Sequence, residues 1–443
     1  MNSAPLLERS IPSAVWAVSW PMVLLGFLRS SVFLVDAYWI GGLGPEALSA
    51  LGGCAFAWWI LAIFSDLGGT GMLTLVARAE GAGLRCEIPR HLAQAAWVGL
   101  GTTTVVVAVW PLRGLYLDAV GFVPGTAEYH LGLDFLGASM LGIGATAAQF
   151  VVAAVFRALG QTRTALALTT ASLLVNAALD PLLIHGVSLA PALGIAGAAW
   201  ATAAANLVGA GLGVWLLRRE GITPQWSRPL PEQLLRITRI GAPVTAAGIG
   251  FSLVYVVLGG MITHFGVHEM GALGLGHRLE SIPYLFGVGM SVGASTLVGQ
   301  FLGAGRPEDA RRAATIAALQ CTAAMLLMSA LLGFFGTDLM ALFTDDPRII
   351  HSGGIYLSIQ SLVFVFMGLE VVYEGAFTGS GHTQPALWIG LLGTAGRIPL
   401  AWFLAFGLEL GITGVWSAIA ISTLLKGVAM PLWFTRGTWT SAV

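Results

Sequence analysis

The stretch NAALDPLLIHG, residues 176 to 186, sets an amide and a carboxylate four residues apart in an otherwise apolar run and follows the acid with a proline. On a helix, Asn176 and Asp180 stand one turn apart on a single face. Pro181 has no N–H to offer the carbonyl of Ala177, and its ring bends a helix at that point. Asp180 stands about 22 Å from the start of its run at Ala165, in the outer half of the span, and Asp36, in the first apolar run, also falls in the outer half. Two acids, an amide and an unpaired carbonyl suit Na⁺, which takes hard oxygen ligands. They equally suit a proton, because two neighbouring carboxylates in a low dielectric do not both ionise. A third reading is an interhelical hydrogen-bond cluster that holds a bundle together. Thr202 is a further oxygen for the same cluster, although a membrane threonine commonly bonds its own backbone.

An ionisable group at the centre of a membrane span costs about 2.5–3.5 kcal/mol on insertion scales, so each needs a partner, water or a task. Beyond Asp36 and Asp180, the apolar runs hold Arg29, Asp66, Asp134, Arg278, Glu280, Glu370, Glu374, Arg397 and Lys426. Glu370 and Glu374 share one helix face. Arg397 is expected to form a structural ion pair with one of them, leaving the other, or Glu280, to attract a cationic substrate. Glu280 has a second reading as the neutraliser of Arg278. Gln149, the repeat counterpart of Glu370, is assigned to the same substrate cavity. Arg29, Asp66, Asp134 and Lys426 are read as structural or rim residues.

Other motifs carry less. GMSVG at 289–293 fits a nucleophile-elbow pattern, but that chemistry needs a sharp strand-to-helix turn, and this stretch lies within an apolar helical run. Lys426 lacks the glycine spacing of a phosphate-binding loop. His264 and His268 are separated by Gly266 at the end of a span, a poor metal pair. Cys54, Cys86 and Cys321 have no paired spacing, so neither a disulfide framework nor a zinc site is expected. No enzyme activity, cofactor or nucleic-acid partner is indicated, with net charge at −1.

The elements that must position these groups are membrane helices. Of 443 residues, 56% are hydrophobic and 10% charged, and mean hydropathy is +0.82; soluble domains carry roughly a quarter charged residues. Apolar runs of about 20 residues recur along the chain, the length that crosses a bilayer as helix. Twelve spans are expected, near 14–40, 47–72, 92–112, 129–155, 165–186, 193–217, 238–264, 270–300, 313–335, 354–378, 385–408 and 412–434. The first is too long for a signal-peptide core and contains Arg29 and Asp36, so it reads as a retained helix. With these spans, fifteen arginines from Arg9 to Arg436 fall on one side of the membrane, against Arg113 and Arg348 on the other. The positive-inside rule then places both termini in the cytoplasm. A polar linker, 218–236, divides an N-lobe at 1–220 from a C-lobe at 221–443.

The halves repeat. An offset of 222 aligns Pro21 with Pro243, Gly44 with Gly266, ALG at 50–52 with ALG at 272–274, and GAG at 81 with GAG at 303; FRALGQTRTAL from Phe156 matches FTGSGHTQPAL from Phe377. Six helices are duplicated, and because six is even the copies keep one orientation, related by a pseudo-two-fold axis along the membrane normal. That is one of the repeat arrangements of secondary transporters. The second half lacks the acid pair: Leu258 stands opposite Asp36, Arg397 opposite Asn176 and Ala401 opposite Asp180.

VDAYWIGGLGPEALSALG, FRALGQTRTAL with NAALDPLLIHG, and STLVGQFLGAGRPEDARR with GSGHTQPAL and GRIPLAW resemble the multidrug and toxic compound extrusion (MATE) family over nearly the whole chain. The resemblance implies an all-α integral membrane fold of twelve helices in two six-helix lobes, exporting organic cations and other amphipathic compounds in exchange for H⁺ or Na⁺. It matches Asp36 to the family's first-helix acid and Asn176 with Asp180 to the fifth-helix pair of its DNA-damage-inducible (DinF-like) branch; Thr202 matches a sixth-helix hydroxyl. Ala153 stands where the family's fourth helix carries an asparagine, and no acid occurs on the seventh helix. The expected function is an antiporter of the bacterial inner membrane, monomeric, with cation coupling at Asp36, Asn176, Asp180 and Thr202 and helix bending at Pro21 and Pro181. The alternative is a lipid or glycolipid flippase of the wider superfamily, whose phosphate-holding basic cavity fits poorly with more acids than bases at membrane depth.

Overall fold

A computed structural model describes residues 6–186, 192–223, 225 and 227–440; Pro224 and Trp226 of the linker lie outside them. The described chain is helical: α1 Ile11–Gly41, α2 Pro45–Ser65, α3 Leu67–Gly81, α4 Ile88–Ala108, α5 Arg113–Val120, α6 Ala127–Ala158, α7 Thr162–Ile184, α8 Ile195–Arg219, α9 Pro231–Thr263, α10 Val267–Gly303, α11 Pro307–Ala341, α12 Pro347–Ser361, α13 Phe364–Ser380, α14 Gln384–Ala395, α15 Arg397–Trp402 and α16 Ile412–Thr435. Ten helical stretches are long and apolar enough to cross a membrane, or twelve when two bent pairs are each counted as one span. In lipid every backbone polar group needs an internal partner, which is why apolar runs of this length become helices.

The breaks have local causes. Pro111 follows Trp110 directly after α4 and cannot extend that helix, so α5 leaves at 44°. Asp66 separates α2 from α3 within one long apolar stretch, Pro45–Gly81. A π-turn over Phe403–Gly407 continues α15.

Two compact units form, one from Met1–Val23 with Ala246–Val443, the other from Leu24–Thr245. The division drawn at the linker, 1–220 and 221–443, follows chain order, and the compact units depart from it at both ends. Their boundaries fall inside α1 and α9, shortly after Pro21 and Pro243. Packing gives the reason. On α4, the fully buried Gln94 donates through Nε2 to Ser227 Oγ (3.0 Å) and to the Arg228 carbonyl (3.0 Å) and accepts from the Leu230 amide (2.9 Å). Trp97 Nε1 adds a bond to the Ser227 carbonyl at 2.9 Å. The linker is thereby fastened to the unit that holds α4. Next along the chain, a Cβ on Gly71 of α3 would lie 2.9 Å from the Ile237 carbonyl carbon, so α9 begins flush against α3. At the other end of the chain, Gly289 of α10 meets α1 so closely that a Cβ would stand 2.5 Å from Val23 N.

Inside the unit built on Ala246–Val443, α13 lays Gly375 and Gly379 against Ser291 and Ser295 of α10, where a Cβ on either glycine would collide with backbone. Helices in lipid associate without a hydrophobic driving force, so small residues that admit backbone contact carry the packing.

Candidate functional site

The unit Leu24–Thr245 gathers four of the residues singled out above. Asp36 comes from the later part of α1, Asn176 and Asp180 from one face of α7, and Thr202 from α8. Asn176 Nδ2 donates to Asp180 Oδ1 at 3.2 Å and to Thr202 Oγ1 at 3.4 Å, and Thr202 sends its own proton to the Ala198 carbonyl at 3.1 Å. The carboxyl groups of Asp36 and Asp180 are in side-chain hydrogen-bond contact. Asp180 is fully buried and Asn176 nearly so. One oxygen of each acid, Asp36 Oδ1 and Asp180 Oδ2, is buried without a hydrogen-bond partner. Neither acid forms an ion pair with an arginine or lysine among the described residues. Two carboxyls that touch inside a bundle are compatible only if a cation lies between them or one carries a proton.

Pro181 does not interrupt α7, which continues to Ile184. It occupies the last turn, where its own carbonyl accepts from the His185 amide at 3.2 Å, so it shapes the helix end beside Asp180. Pro21 lies within a continuous α1.

The other unit corrects the expected ion pair. Arg397, buried, pairs with no carboxylate among the described residues: Nε donates to Ser422 Oγ (3.1 Å), Nη1 to Tyr255 OH (3.0 Å) and Nη2 to Thr423 Oγ1 (3.1 Å). All three sides of its guanidinium are taken by hydroxyls, so α9, α15 and α16 converge on one cation. The ion pair instead joins Glu370 to Lys426, with Nζ 2.7 Å from Oε1 and a second bond from Nζ to Thr394 Oγ1 at 3.2 Å. Lys426, read as a structural or rim residue, is the partner because α16 faces α13 while Arg397 sits at the start of α15, turned toward α9 and α16. Glu374, one turn on from Glu370, keeps its carboxylate out of every hydrogen bond and ion pair among the described residues.

Glu280 accepts a hydrogen bond from Tyr356 OH and lies 3.9 Å from His277 Nε2. The His277 ring stands 5.9 Å from that of Tyr356 and 4.9 Å from that of Tyr255, which links this group to Arg397. Among the described residues Glu280 forms no ion pair with Arg278. Gln149, assigned to a substrate cavity, is instead buried inside its bundle, in the space that Gly209 of α8 leaves beside Ser172; the missing Cβ at position 209 is what draws it inward. Asp66 lies 3.9 Å from Arg157 and accepts from Thr70 Oγ1 at 3.4 Å.

Tyr255, His277 and Tyr356 escaped the reading of the sequence. His277 and Glu280 are three apart on one helix, a signal that was present; Tyr356 lies 76 positions from Glu280, with nothing local to mark it.

The family model MatE matches residues 21–182 and again 243–403. The chain belongs to the MatE family. The two matches begin 222 residues apart, at Pro21 and Pro243, the offset of the internal repeat. Among relatives, the "Probable multidrug resistance protein NorM" of Thermotoga maritima is 24% identical over 415 residues, covering 92% of this chain and 88% of that protein. A "FAD transporter" of Shewanella oneidensis is 26% identical over 443 residues, covering 96% and 92%. In fold, a MOP superfamily transporter from Pyrococcus furiosus superposes with a TM-score of 0.90 at 19% identity, covering 100% of this chain and 99% of that one. This MatE family chain is therefore a multi-pass, two-lobed, all-helical membrane transporter and not an enzyme.

Proposed function

We propose that the chain is a secondary active antiporter that exports amphipathic, often cationic, organic compounds, with inward movement of H⁺ or Na⁺ through Asp36, Asn176, Asp180 and Thr202 as the driving step. The observation that carries this reading is the contact between the carboxyls of Asp36 and Asp180, which no lysine or arginine pairs with among the described residues, each with one oxygen buried and left without a partner there. Within that reading the donor set favours H⁺. Asn176 turns its NH₂, not its carbonyl, toward Asp180, and Thr202 spends its proton on Ala198, so few oxygens remain to ligate Na⁺, whereas a shared proton needs only the two acids. The names of the relatives, drug-resistance proteins of the NorM type, support organic compounds as cargo. Glu374, whose carboxylate makes no hydrogen bond or ion pair among the described residues, is the first candidate to attract a cationic substrate. The rest of the reading is a monomer in the bacterial inner membrane with both termini cytoplasmic, and bending at Pro21 and Pro181 as cation occupancy changes.

Cation and substrate then weaken each other's binding by one and the same factor, as linkage requires. The test is dye efflux from proteoliposomes under an imposed proton gradient and, in separate vesicles, a sodium gradient. Efflux should follow the proton gradient and vanish in Asp36→Asn and in Asp180→Asn at normal expression. Gradient-driven efflux persisting in both variants would remove the coupling role of the pair.

A further inference from the structure

At the end of the Leu24–Thr245 unit remote from the linker, the bend between α4 and α5 carries Trp110 and Arg113 over the first turns of α6 and α8. There a cavity of about 200 Å³ is lined by Trp110, Arg113, Asp134, Gly137, Leu141 and Trp200. The Arg113 guanidinium lies 3.8 Å over the Trp110 ring, and it is held in place by two carbonyls, Nε to Leu133 O at 3.2 Å and Nη1 to Trp110 O at 3.2 Å. Those bonds fix the fork and leave Nη2 without a partner among the described residues. Trp110 Nε1 is buried beneath it, without an acceptor among the described residues. Asp134 is exposed on the same cavity and makes neither a hydrogen bond nor an ion pair, with Arg113 or with any other group among the described residues. Gly137 keeps the floor open, since a Cβ there would sit 3.3 Å from both Arg113 Nε and Trp110 Nε1.

A planar guanidinium fixed by its neighbours and with Nη2 unspent recognises a phosphate. An acid across the same cavity, unpaired, recognises a cation. The two tryptophans belong to the depth at which indoles settle, between headgroup and acyl chain, and the exposed Leu141 continues the wall along α6 into the span. We propose that this cavity binds the headgroup of a phospholipid that carries a phosphate and a primary ammonium, a phosphatidylethanolamine-type lipid. The phosphate lies against the unspent Nη2 of Arg113, the ammonium against Asp134, and the acyl chains run down past Leu141. Arg113 is one of the two arginines that the positive-inside reading leaves on the non-cytoplasmic side, and phosphate binding gives it a task there. With the orientation proposed above, the lipid belongs to the outer leaflet; the binding itself is independent of the coupling pair and of transport.

The purified full-length protein in detergent is mixed with phosphatidylethanolamine and phosphatidylglycerol of identical acyl chains, and retained lipid is read by native mass spectrometry. Phosphatidylethanolamine should be retained about tenfold over phosphatidylglycerol, the size of effect expected of one charge-assisted contact. Asp134→Asn, a substitution at an exposed side chain without contacts, should bring the two lipids to parity while the protein stays monodisperse. Arg113→Gln should lower both about tenfold, and Gly137→Val should lower both by filling the floor. Equal retention of the two lipids by the unaltered protein, or an undiminished preference in Asp134→Asn, overturns the proposal. So does retention of water-soluble O-phosphoethanolamine as strong as that of the lipid, which would assign the cavity to a soluble phosphate compound.

Discussion

Removing Glu370 should leave a lysine buried without its counter-ion. Lys426 and Glu370 have side chains 5% and 14% exposed, and Gly393 provides the room for the lysine stem, since a Cβ there would lie 2.7 Å from Lys426 Cδ. Breaking a pair so enclosed costs about 3–5 kcal/mol, because the remaining charge has lost its partner and not its environment. At about 2–4 °C per kcal/mol for units of this size, Glu370→Gln and Lys426→Met should each lower the thermal midpoint by roughly 6–20 °C. Glu370→Gln belongs at the low end, since Thr394 still accepts from the ammonium. The double variant Glu370→Leu with Lys426→Leu should recover most of the loss, because two apolar groups of similar volume leave nothing to desolvate. The assay is tryptophan fluorescence against temperature in one detergent for all four proteins. Single variants within about 2 °C of the parent, or a double variant that loses as much as both singles together, would show that the pair is not a buried unit and that the cost was assigned to the wrong interaction.

Three further outcomes are expected. Gly379→Ala puts a methyl 2.8 Å from Ser295 Cα, which backbone cannot avoid by rotating a side chain; overpacking of this kind costs about 1–3 kcal/mol and should appear as a lower thermal midpoint, whereas a neutral result would deny the close α10–α13 approach. Gln94→Ala removes three hydrogen bonds from the linker at once, so trypsin should cut at Arg218, Arg219 or Arg228 several-fold faster than in the parent, with the helices otherwise intact. Arg397→Lys keeps the charge but cannot reach Tyr255, Ser422 and Thr423 together; each charge-assisted hydrogen bond lost costs about 1.5–3 kcal/mol, and thermal unfolding checks it.

The helices, and the grouping of Asn176 with Asp180, were legible because their signals are local. Twenty apolar residues force a helix in lipid, and Asn176 with Asp180 share a face by spacing alone. Asp36 and Thr202 could be added since both stand at matching depths in helices that rise in known directions. The C-terminal side was read less well. Arg397, Glu370 and Lys426 all stand within apolar runs, and depth alone does not decide which cation meets which acid. That choice depends on how α15 is turned after Gly396 and on whether α16 faces α13. Gln149 misled for a related reason: its alignment with Glu370 is sound, but burial was decided by Gly209 on a different helix, which leaves the space a glutamine fills.

The exchange of segments between the two compact units sets an order for biogenesis. Residues before Leu24 are made long before their partners: Pro12 O accepts from Gln320 at 3.1 Å and Leu7 O from Arg306 at 3.0 Å, sequence separations of 308 and 299. Insertion of the opening helix therefore long precedes the docking of its first half, while Leu24–Thr245 has all of its own segments once α9 has begun to emerge. Two polypeptides split at the linker would each lack a piece of their own unit, and neither could mature except by trading that piece with the other.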